Sequence, residues 1–163
     1  MLKKILVAID PSQPSTCATS AAVELARQVK AEIMLLHVVD VTAAYVPELG
    51  INPTKLAGLR EQGDQLLNET LARLANVPNV GRMLLEGDPA DAILAAAHDW
   101  PADMIVIGSD SRGRLAHFLL GSTADSVIRR ATCPVMSVRA DVGNNGKGPE
   151  AGKVVGAEPI TIR

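Results

Sequence analysis

Four apolar runs of strand length recur along the chain, and their apolar residues are continuous rather than alternating with polar ones. They read KKILVAI, EIMLLHVV, VGRMLLE and DMIVIG, at residues 3–9, 32–39, 80–86 and 103–108. Continuous runs are typical of strands that are buried on both faces of a parallel sheet. A fifth run, CPVMSVR at residues 133–139, is shorter. Its Pro134 predicts an edge strand, or a strand that pairs with a partner.

Helical patterns fill the segments between these runs. Asp88 followed by Pro89 is typical of an N-cap and a first helical residue, whereas Gly58 and Gly63 weaken the start of the second helix. The alternation of strands and helices predicts an α/β fold, a three-layer sandwich with right-handed crossovers and helices on both faces of the sheet. The residues expected to face the core are Ala18, Ala22, Leu25 and Val29, then Leu56, Leu59, Leu66, Thr70 and Leu74, then Ala90, Ile93, Leu94 and Ala97, and, in a helix from about Ser122, Ala124, Val127, Ile128 and Ala131.

Two stretches depart from this alternation. Residues 40–52 form a longer connection than usual, directly after the second strand, and are interpreted as a lid or a partner surface. Residues 140–163 are rich in Gly, Asn and Pro and are interpreted as a flexible tail that follows a single folded domain at residues 1–139. The last part of the tail, VVGAEPITIR, either adds a short strand or stays disordered.

Composition argues against several classes of function. Tyr45, Trp100 and Phe118 are the only large aromatic residues, and the net charge is -2, which disfavours nucleic acid as a ligand. No apolar run approaches the roughly 20 residues that span a bilayer, and the N-terminus lacks a signal-peptide cleavage site, so we expect a cytoplasmic protein without a membrane span. Cys17 and Cys133 lack CxxC spacing, and the three histidines form no metal-binding motif.

The segment that follows the fourth run, GSDSRGRLAHFLLGST at residues 108–123, predicts a phosphate site. Ligands of open parallel sheets bind beyond the carboxyl ends of the strands, and amides at a helix N-terminus favour an anion. Gly108 is expected to let a phosphate approach the backbone, and Gly113 and Gly121 to supply positive φ. The alternative is that Ser122 is an ordinary N-cap. The expected ligands are the amides of Gly121, Ser122 and Thr123, the hydroxyls of Ser109, Ser111, Ser122 and Thr123, and the guanidinium groups of Arg112 and Arg114.

The first two strands also end in polar groups. Asp10, Pro11 and Ser12 follow the first strand, where a carboxylate and a hydroxyl can meet a nucleotide or its Mg²⁺. A turn or a helix cap is the simpler interpretation of Asp10. The sequence HVVD at residues 37–40 closes the second strand, where exposed backbone groups can bind the edge of a base.

At this point the sequence resembles the universal stress proteins, over most of residues 3–139. The resemblance rests on KKILVAIDPS, EIMLLHVVD, LLEGDPADAIL, ADMIVIGSDSRG and LLGSTADSVIRRATCPVMSVR, in that order. It implies a five-stranded parallel sheet of order 3-2-1-4-5. It also implies a universal stress protein (UspA-like) domain at residues 1–139 and a homodimer that pairs through the fifth strand.

The nucleotide-binding branch of that family carries the pattern G-x2-G-x9-G-[ST]. Gly108, Gly121 and Ser122 match it, but Ser111 replaces the second glycine. The resemblance implies that the backbone of Val38 contacts adenine, that Asp10, Pro11 and Ser12 border the nucleoside, and that residues 121–123 hold phosphates. The expected cofactor is ATP or another adenine nucleotide, with Mg²⁺ accompanying ATP.

The sequence gives little support to an enzyme. Asp110 and His117 are the nearest titratable residues to the loop, and each is more simply a solvated side chain. The tail segment GKGPEAGKV does not have Walker A spacing. We therefore expect a regulatory nucleotide-binding module in stress response with at most slow ATP hydrolysis. The alternative is a dimeric module with an empty nucleotide pocket that acts through an unknown protein partner.

Overall fold

A five-stranded parallel sheet forms the centre of the molecule in a computed structural model that describes residues 1–109 and 121–140. The first four predicted strands are present within a residue of their expected ends, and the fifth begins two residues later than predicted, at Val135. The order in the sheet is β3-β2-β1-β4-β5, which confirms the predicted 3-2-1-4-5 arrangement. The strands are β1 (Lys4–Ala8), β2 (Glu32–Asp40), β3 (Val80–Gly87), β4 (Met104–Ser109) and β5 (Val135–Arg139).

Two helices cover each face of the sheet. Alternate residues of the central strand β1 supply the two cores: Ile5 and Val7 pack with α1 and α2, whereas Leu6 and Ala8 pack with α3 and α4. All four of these strand residues are at most 9% exposed, so the sheet is buried on both faces and the three-layer prediction is confirmed. The helices are α1 (Gln13–Val29), α2 (Pro53–Arg73), α3 (Pro89–Asp99) and α4 (Ser122–Arg130).

The first three helices begin at residues that cap them. The side chains of Ser12, Asn52 and Asp88 accept hydrogen bonds from backbone amides three residues later, at 3.3, 3.0 and 3.0 Å. A proline in each first turn presets the helical φ. The predicted N-cap at Asp88 is confirmed.

The prediction of which helix residues face the core is wrong at several positions. Val29 is 41% exposed, because it is the last residue of α1 and lies beside the turn into β2 at the rim of the sheet. The buried face of α1 continues instead through Val23 and Ala26. In α2 the buried residues are Gly63 and Leu67, and the leucines that the pattern selected are only half-buried. Ile128 in α4 is 38% exposed.

The connection at residues 40–52 contains more structure than the predicted loop. Asp40 ends β2 and caps a 3-10 helix at Val41–Ala44, with its Oδ1 accepting from the amide of Thr42 at 2.8 Å. Tyr45–Val46 and Gly50–Ile51 then pair as a short antiparallel ladder. The predicted tail lies, from residue 141 on, outside the described residues. Within the described ranges, none of the helices has the length and apolar character that crossing a membrane requires.

Candidate functional site

A cavity of about 340 Å³ opens at the carboxyl edge of the sheet, and it is called here the α4 cavity. The ends of β1, β2 and β4 form its floor, and the first turn of α4 forms one wall. This is the place where the sequence predicts a ligand. Seven of the predicted site residues line it: Asp10, Ser12, Val38, Gly108, Gly121, Ser122 and Thr123.

The turn after β1 holds Asp10 in place through three hydrogen bonds. Its carboxylate Oδ1 accepts from the amide of Ser12 at 2.9 Å, and its own amide donates to Oγ of Ser15 at 2.9 Å. Ser12 Oγ in turn accepts from the amide of Ser15 as the cap of α1. The turn interpretation of Asp10 is therefore confirmed. Ser15 was missed in the sequence, because only the folded turn brings its hydroxyl back to residue 10.

Val38 presents free backbone groups to the α4 cavity. In a parallel ladder, the N–H and C=O of one residue point to the same neighbouring strand. Leu36 O accepts from the amide of Ile9, so the backbone groups of Val38, two residues later, also point towards β1. Strand β1 has ended there, and the carbonyl of Ile9 is bonded at 2.8 Å to Nδ1 of His37. Among the described residues no backbone bond joins Val38 to Ile9, which leaves these groups able to bind a planar ligand edge.

Gly108 has a different role from the predicted one. A Cβ built at this glycine would lie 2.5 Å from the backbone nitrogen of Ser15 and 2.6 Å from the carbonyl carbon of Pro14. The missing side chain therefore lets the first turn of α1 pack directly on β4. The expectation that Gly108 makes room for a phosphate is wrong as the reason for this glycine, although Gly108 still borders the α4 cavity.

No side chain of the described residues caps the start of helix α4. Its N-cap is Gly121, so the alternative that Ser122 is the N-cap is wrong. The φ of Gly121 is -51°, so the expectation of a positive φ there is also wrong. A Cβ at Gly121 would meet nothing within 4 Å among the described residues. Asp125, the acidic residue of the first turn, is paired with Arg129 at 2.8 Å. Among the described residues, none covers the side of the α4 start that borders the cavity.

Several other predicted site residues are not brought to the α4 cavity. Ser109 is 2% exposed and lies outside the cavity lining, because its strand position turns the side chain into the protein interior. Its Oγ has no hydrogen-bond partner among the described residues. Pro11 lines neighbouring cavities on the side of α2. Ser111, Arg112 and Gly113 lie outside the described residues.

Binding of a metal ion at the α4 cavity would depend on Asp10 and on groups of the ligand itself. In the part of the chain that the structure describes, no group of three or more His, Cys, Asp or Glu residues is placed to hold a metal. One oxygen of Asp10 is bonded to Ser12, which leaves the other for an ion. Mg²⁺ often takes one or two carboxylates together with substrate phosphates, so this arrangement fits Mg²⁺ bound with a nucleotide.

A larger cavity of about 520 Å³ lies on the other face of the sheet, between β2 and α2, and is called here the α2 cavity. His37 and Val38 border both cavities. The α4 cavity is smaller but contains the open helix start and the predicted residues, so its chemistry matches the predicted ligand better. The α2 cavity was missed in the sequence; the one signal for it was a glycine in mid-helix, Gly63.

The comparisons with known proteins agree with this fold. The model of the universal stress protein family matches residues 1–139. A universal stress protein of Thermus aquaticus is 34% identical over 139 residues, which are 85% of this chain and 100% of the relative. The chain belongs to the universal stress protein family.

Solved structures show the same architecture. The universal stress protein UspA from Lactobacillus plantarum has a TM-score of 0.70 and 28% identity, covering 84% of this chain and 97% of that one. A universal stress protein family protein from Arabidopsis thaliana, solved with AMP bound, has a TM-score of 0.62 and 22% identity, covering 86% of this chain and 93% of that one. This second likeness establishes a common fold.

Proposed function

We propose that this universal stress protein binds an adenine nucleotide in the α4 cavity and acts as a regulatory module in stress response. The observation that carries the proposal is the first turn of α4, at Gly121, Ser122 and Thr123, on the wall of a cavity of about 340 Å³. The first-turn amides of a helix and its dipole favour an anion such as a phosphate. Small-molecule sites usually have volumes of about 300–1,000 Å³, a range that includes this cavity.

The walls of the cavity suit the two ends of a nucleotide. Ile93 and Ile107 provide apolar surface for a nucleoside, and the backbone of Val38 offers a donor and an acceptor for the edge of adenine. Asp10 and Ser12 lie between this end and the start of α4, where they can contact the ribose or a phosphate-bound Mg²⁺. AMP binding by the Arabidopsis thaliana protein of the same fold supports this class of ligand.

A calorimetric titration with AMP, ADP and ATP, each with and without Mg²⁺, tests the proposal. We expect saturable heat for at least one nucleotide, stronger with Mg²⁺ for ATP. Gly121→Val puts a branched side chain into the open space at the helix start and should lower affinity at least about tenfold. Gly58→Val is the matched control, because a Cβ at Gly58 also meets nothing within 4 Å but lies on α2. An absence of heat for every adenine nucleotide would contradict the proposal.

Hydrolysis of ATP is proposed to be slow at most. Rapid hydrolysis needs a base that positions a water near the transferring phosphoryl group. Asp10 is the carboxylate that borders the α4 cavity among the described residues, and the amide of Ser12 already occupies one of its oxygens. Phosphate release that stays near the uncatalysed rate, measured with saturating ATP, is the expected result.

The proposed assembly is a homodimer that pairs through β5. This strand is at the edge of the sheet, and Val135, Met136 and Val138 are only half-buried in the single chain. An edge strand with partly exposed apolar residues can extend its sheet by pairing with another chain. Sedimentation equilibrium should give twice the chain mass of 17.1 kDa. A single-chain mass at micromolar concentration would exclude the dimer.

A second candidate function is a protein-interaction module with an empty nucleotide pocket. The ladder after β2 favours it, because Tyr45, Leu49 and Ile51 are 58%, 83% and 48% exposed. Exposed apolar residues grouped on one hairpin are typical of a surface that contacts a protein partner. If no nucleotide bound, protein interaction would be the sole proposed function.

For either function the proposed location is the cytoplasm, where nucleotides are abundant and the free thiols of Cys17 and Cys133 stay reduced. Cell fractionation tests this location.

A further inference from the structure

The α2 cavity is larger than the α4 cavity, and apart from His37 and Val38, which border both, its lining residues lie outside the proposed nucleotide site. Its walls come from the end of β2, the 3-10 helix at Val41–Ala44 and the middle of α2. The volume of about 520 Å³ is well within the usual range for small-molecule sites. Apolar side chains form most of its lining, including Pro11, Val39, Ala43, Leu59 and Leu66.

A glycine in the middle of α2 lets a histidine reach this cavity. Gly63 is buried, and a Cβ there would lie 2.6 Å from Cδ2 of His37 and 2.9 Å from Cδ1 of Leu84. Glycine inside a helix costs about 0.5–1 kcal/mol relative to alanine, so its presence needs a reason in the packing. The reason here is that the imidazole ring lies directly against the helix backbone.

The orientation of His37 leaves one ring nitrogen towards α2. Nδ1 is bonded to the carbonyl of Ile9 at 2.8 Å, which fixes the ring. The opposite edge of the ring, with Cδ2 and Nε2, faces Gly63, and Nε2 lies 3.2 Å from the position of a Cβ on that glycine. Because Nδ1 donates to the carbonyl, Nε2 of the neutral ring is an acceptor beside the cavity.

The charged side chains that line the α2 cavity, among the described residues, are both acidic. Asp40 and Glu69 contribute carboxylates to the lining, and neither Lys nor Arg is among the lining residues that the structure describes. Arg73 approaches Glu69 at 3.7 Å, but it lines the neighbouring groove rather than this cavity. Carboxylates at a partly enclosed apolar cleft attract cations and disfavour anions.

We infer that the α2 cavity is a second ligand site and that it takes a small organic cation with an apolar body. The body packs against Pro11, Leu59 and Leu66, and the cationic group lies near Asp40 and Glu69. Nε2 of His37 accepts a hydrogen bond from a donor on the ligand. This site has the opposite charge preference from the phosphate end of the α4 cavity, so the inference does not depend on nucleotide binding.

Two probes with the same apolar body and opposite charge test the inference: 1-naphthylmethylammonium and 1-naphthoate. Each is titrated into ¹⁵N-labelled protein while amide chemical shifts are followed. We expect the cation to shift the amides of Ala43, Gly63 and Leu66 and to bind at least about fivefold more tightly than the anion, since one nearby carboxylate contributes that much even in water. Glu69→Gln should reduce this difference in affinity between the cation and the anion.

A variant that fills the cavity provides the matched comparison. Ala43→Trp puts an indole into the α2 cavity and should weaken binding of the cation at least about tenfold. Ala72→Trp adds the same group to an exposed position of α2 that does not line the cavity, and should leave binding unchanged. Equal affinity for both probes, shifts confined to other parts of the protein, or undiminished binding by Ala43→Trp with a native melting temperature would overturn the inference.

Discussion

Asp103 joins the start of β1 to the start of β4. Its Oδ2 accepts from the amides of Lys3 and Lys4 at 2.7 and 3.0 Å, and these bonds hold the pKa of the Asp103 carboxyl below its ordinary value. Its own amide donates to the carbonyl of Lys4 at 2.9 Å. One exposed carboxylate therefore aligns the two central strands of the sheet at their amino ends.

This contact predicts a dependence of stability on pH. Because the pKa of Asp103 is lower in the folded than in the unfolded state, the carboxylate stabilises the fold above the unfolded pKa of about 3.9 and loses that contribution as pH falls through the folded pKa. Asp103→Asn should lower the urea midpoint at pH 7 and flatten the fall in stability as pH drops below the unfolded pKa of about 3.9. Asp99→Asn, at an exposed residue of α3, is the control. An unchanged acid limb in Asp103→Asn would show that the contact contributes nothing.

At the scale of single residues, the sequence identified which residues border the site but gave wrong roles to some of them. Asp10, Gly108 and Gly121 were all selected and all border the α4 cavity. The reasons given for both glycines were wrong, because spacing does not reveal which atoms occupy the place of a missing Cβ. At Gly108 that place is filled by the backbone of α1, and at Gly121 no atom of the described residues comes within 4 Å of it.

Helix α2 contains two glycines, Gly58 and Gly63, and their positions in the sequence do not show which of them is packed against another side chain. A Cβ at Gly58 would meet nothing within 4 Å, whereas one at Gly63 would press on the ring of His37, which is tied to Ile9. Gly58→Ala should stabilise the protein by about 0.5–1 kcal/mol through helix propensity alone. Gly63→Ala should instead destabilise it by about 1–2 kcal/mol, because crowding in a packed core outweighs that gain.

Urea unfolding of the two variants measures this difference directly. The matched substitutions share the same helix and the same change in propensity, so their difference reports the contacts of Gly63 with His37 and Leu84. Equal stabilisation by both alanines would mean that the ring moves away at little cost. The close approach of His37 to α2 would then be unimportant for the fold.

The strands were easier to predict from sequence than the faces of the helices. Residues 32–39 and 103–108 form continuous apolar runs because both faces of the sheet are covered, and such runs have clear ends. The buried face of α1 was predicted less well, because a helix that reaches the rim of the sheet exposes its last turn. The 3-10 helix at Val41–Ala44 has no apolar period and gave no signal.

For the molecule as a whole, the order of the strands followed from the family resemblance rather than from the runs themselves. Apolar runs identify strands but do not say which strand lies beside which. The order matters for function, because it places β1 between β2 and β4 and so brings Asp10, Val38 and Gly108 to one cavity. The order of the strands gave no indication of the second, larger cavity across the sheet, and among the residues its one signal was Gly63 in the middle of α2.

The two cavities at this edge make one measurement decisive for the nucleotide site. AMP is titrated into ¹⁵N-labelled protein, and the backbone amide shifts at saturation are compared along the chain. The account predicts the largest shifts at Ser122 and Thr123, where the phosphate meets the start of α4, together with a shift at Val38 from the base. Largest shifts at Ala43 and Gly63, or none at any amide, would contradict it.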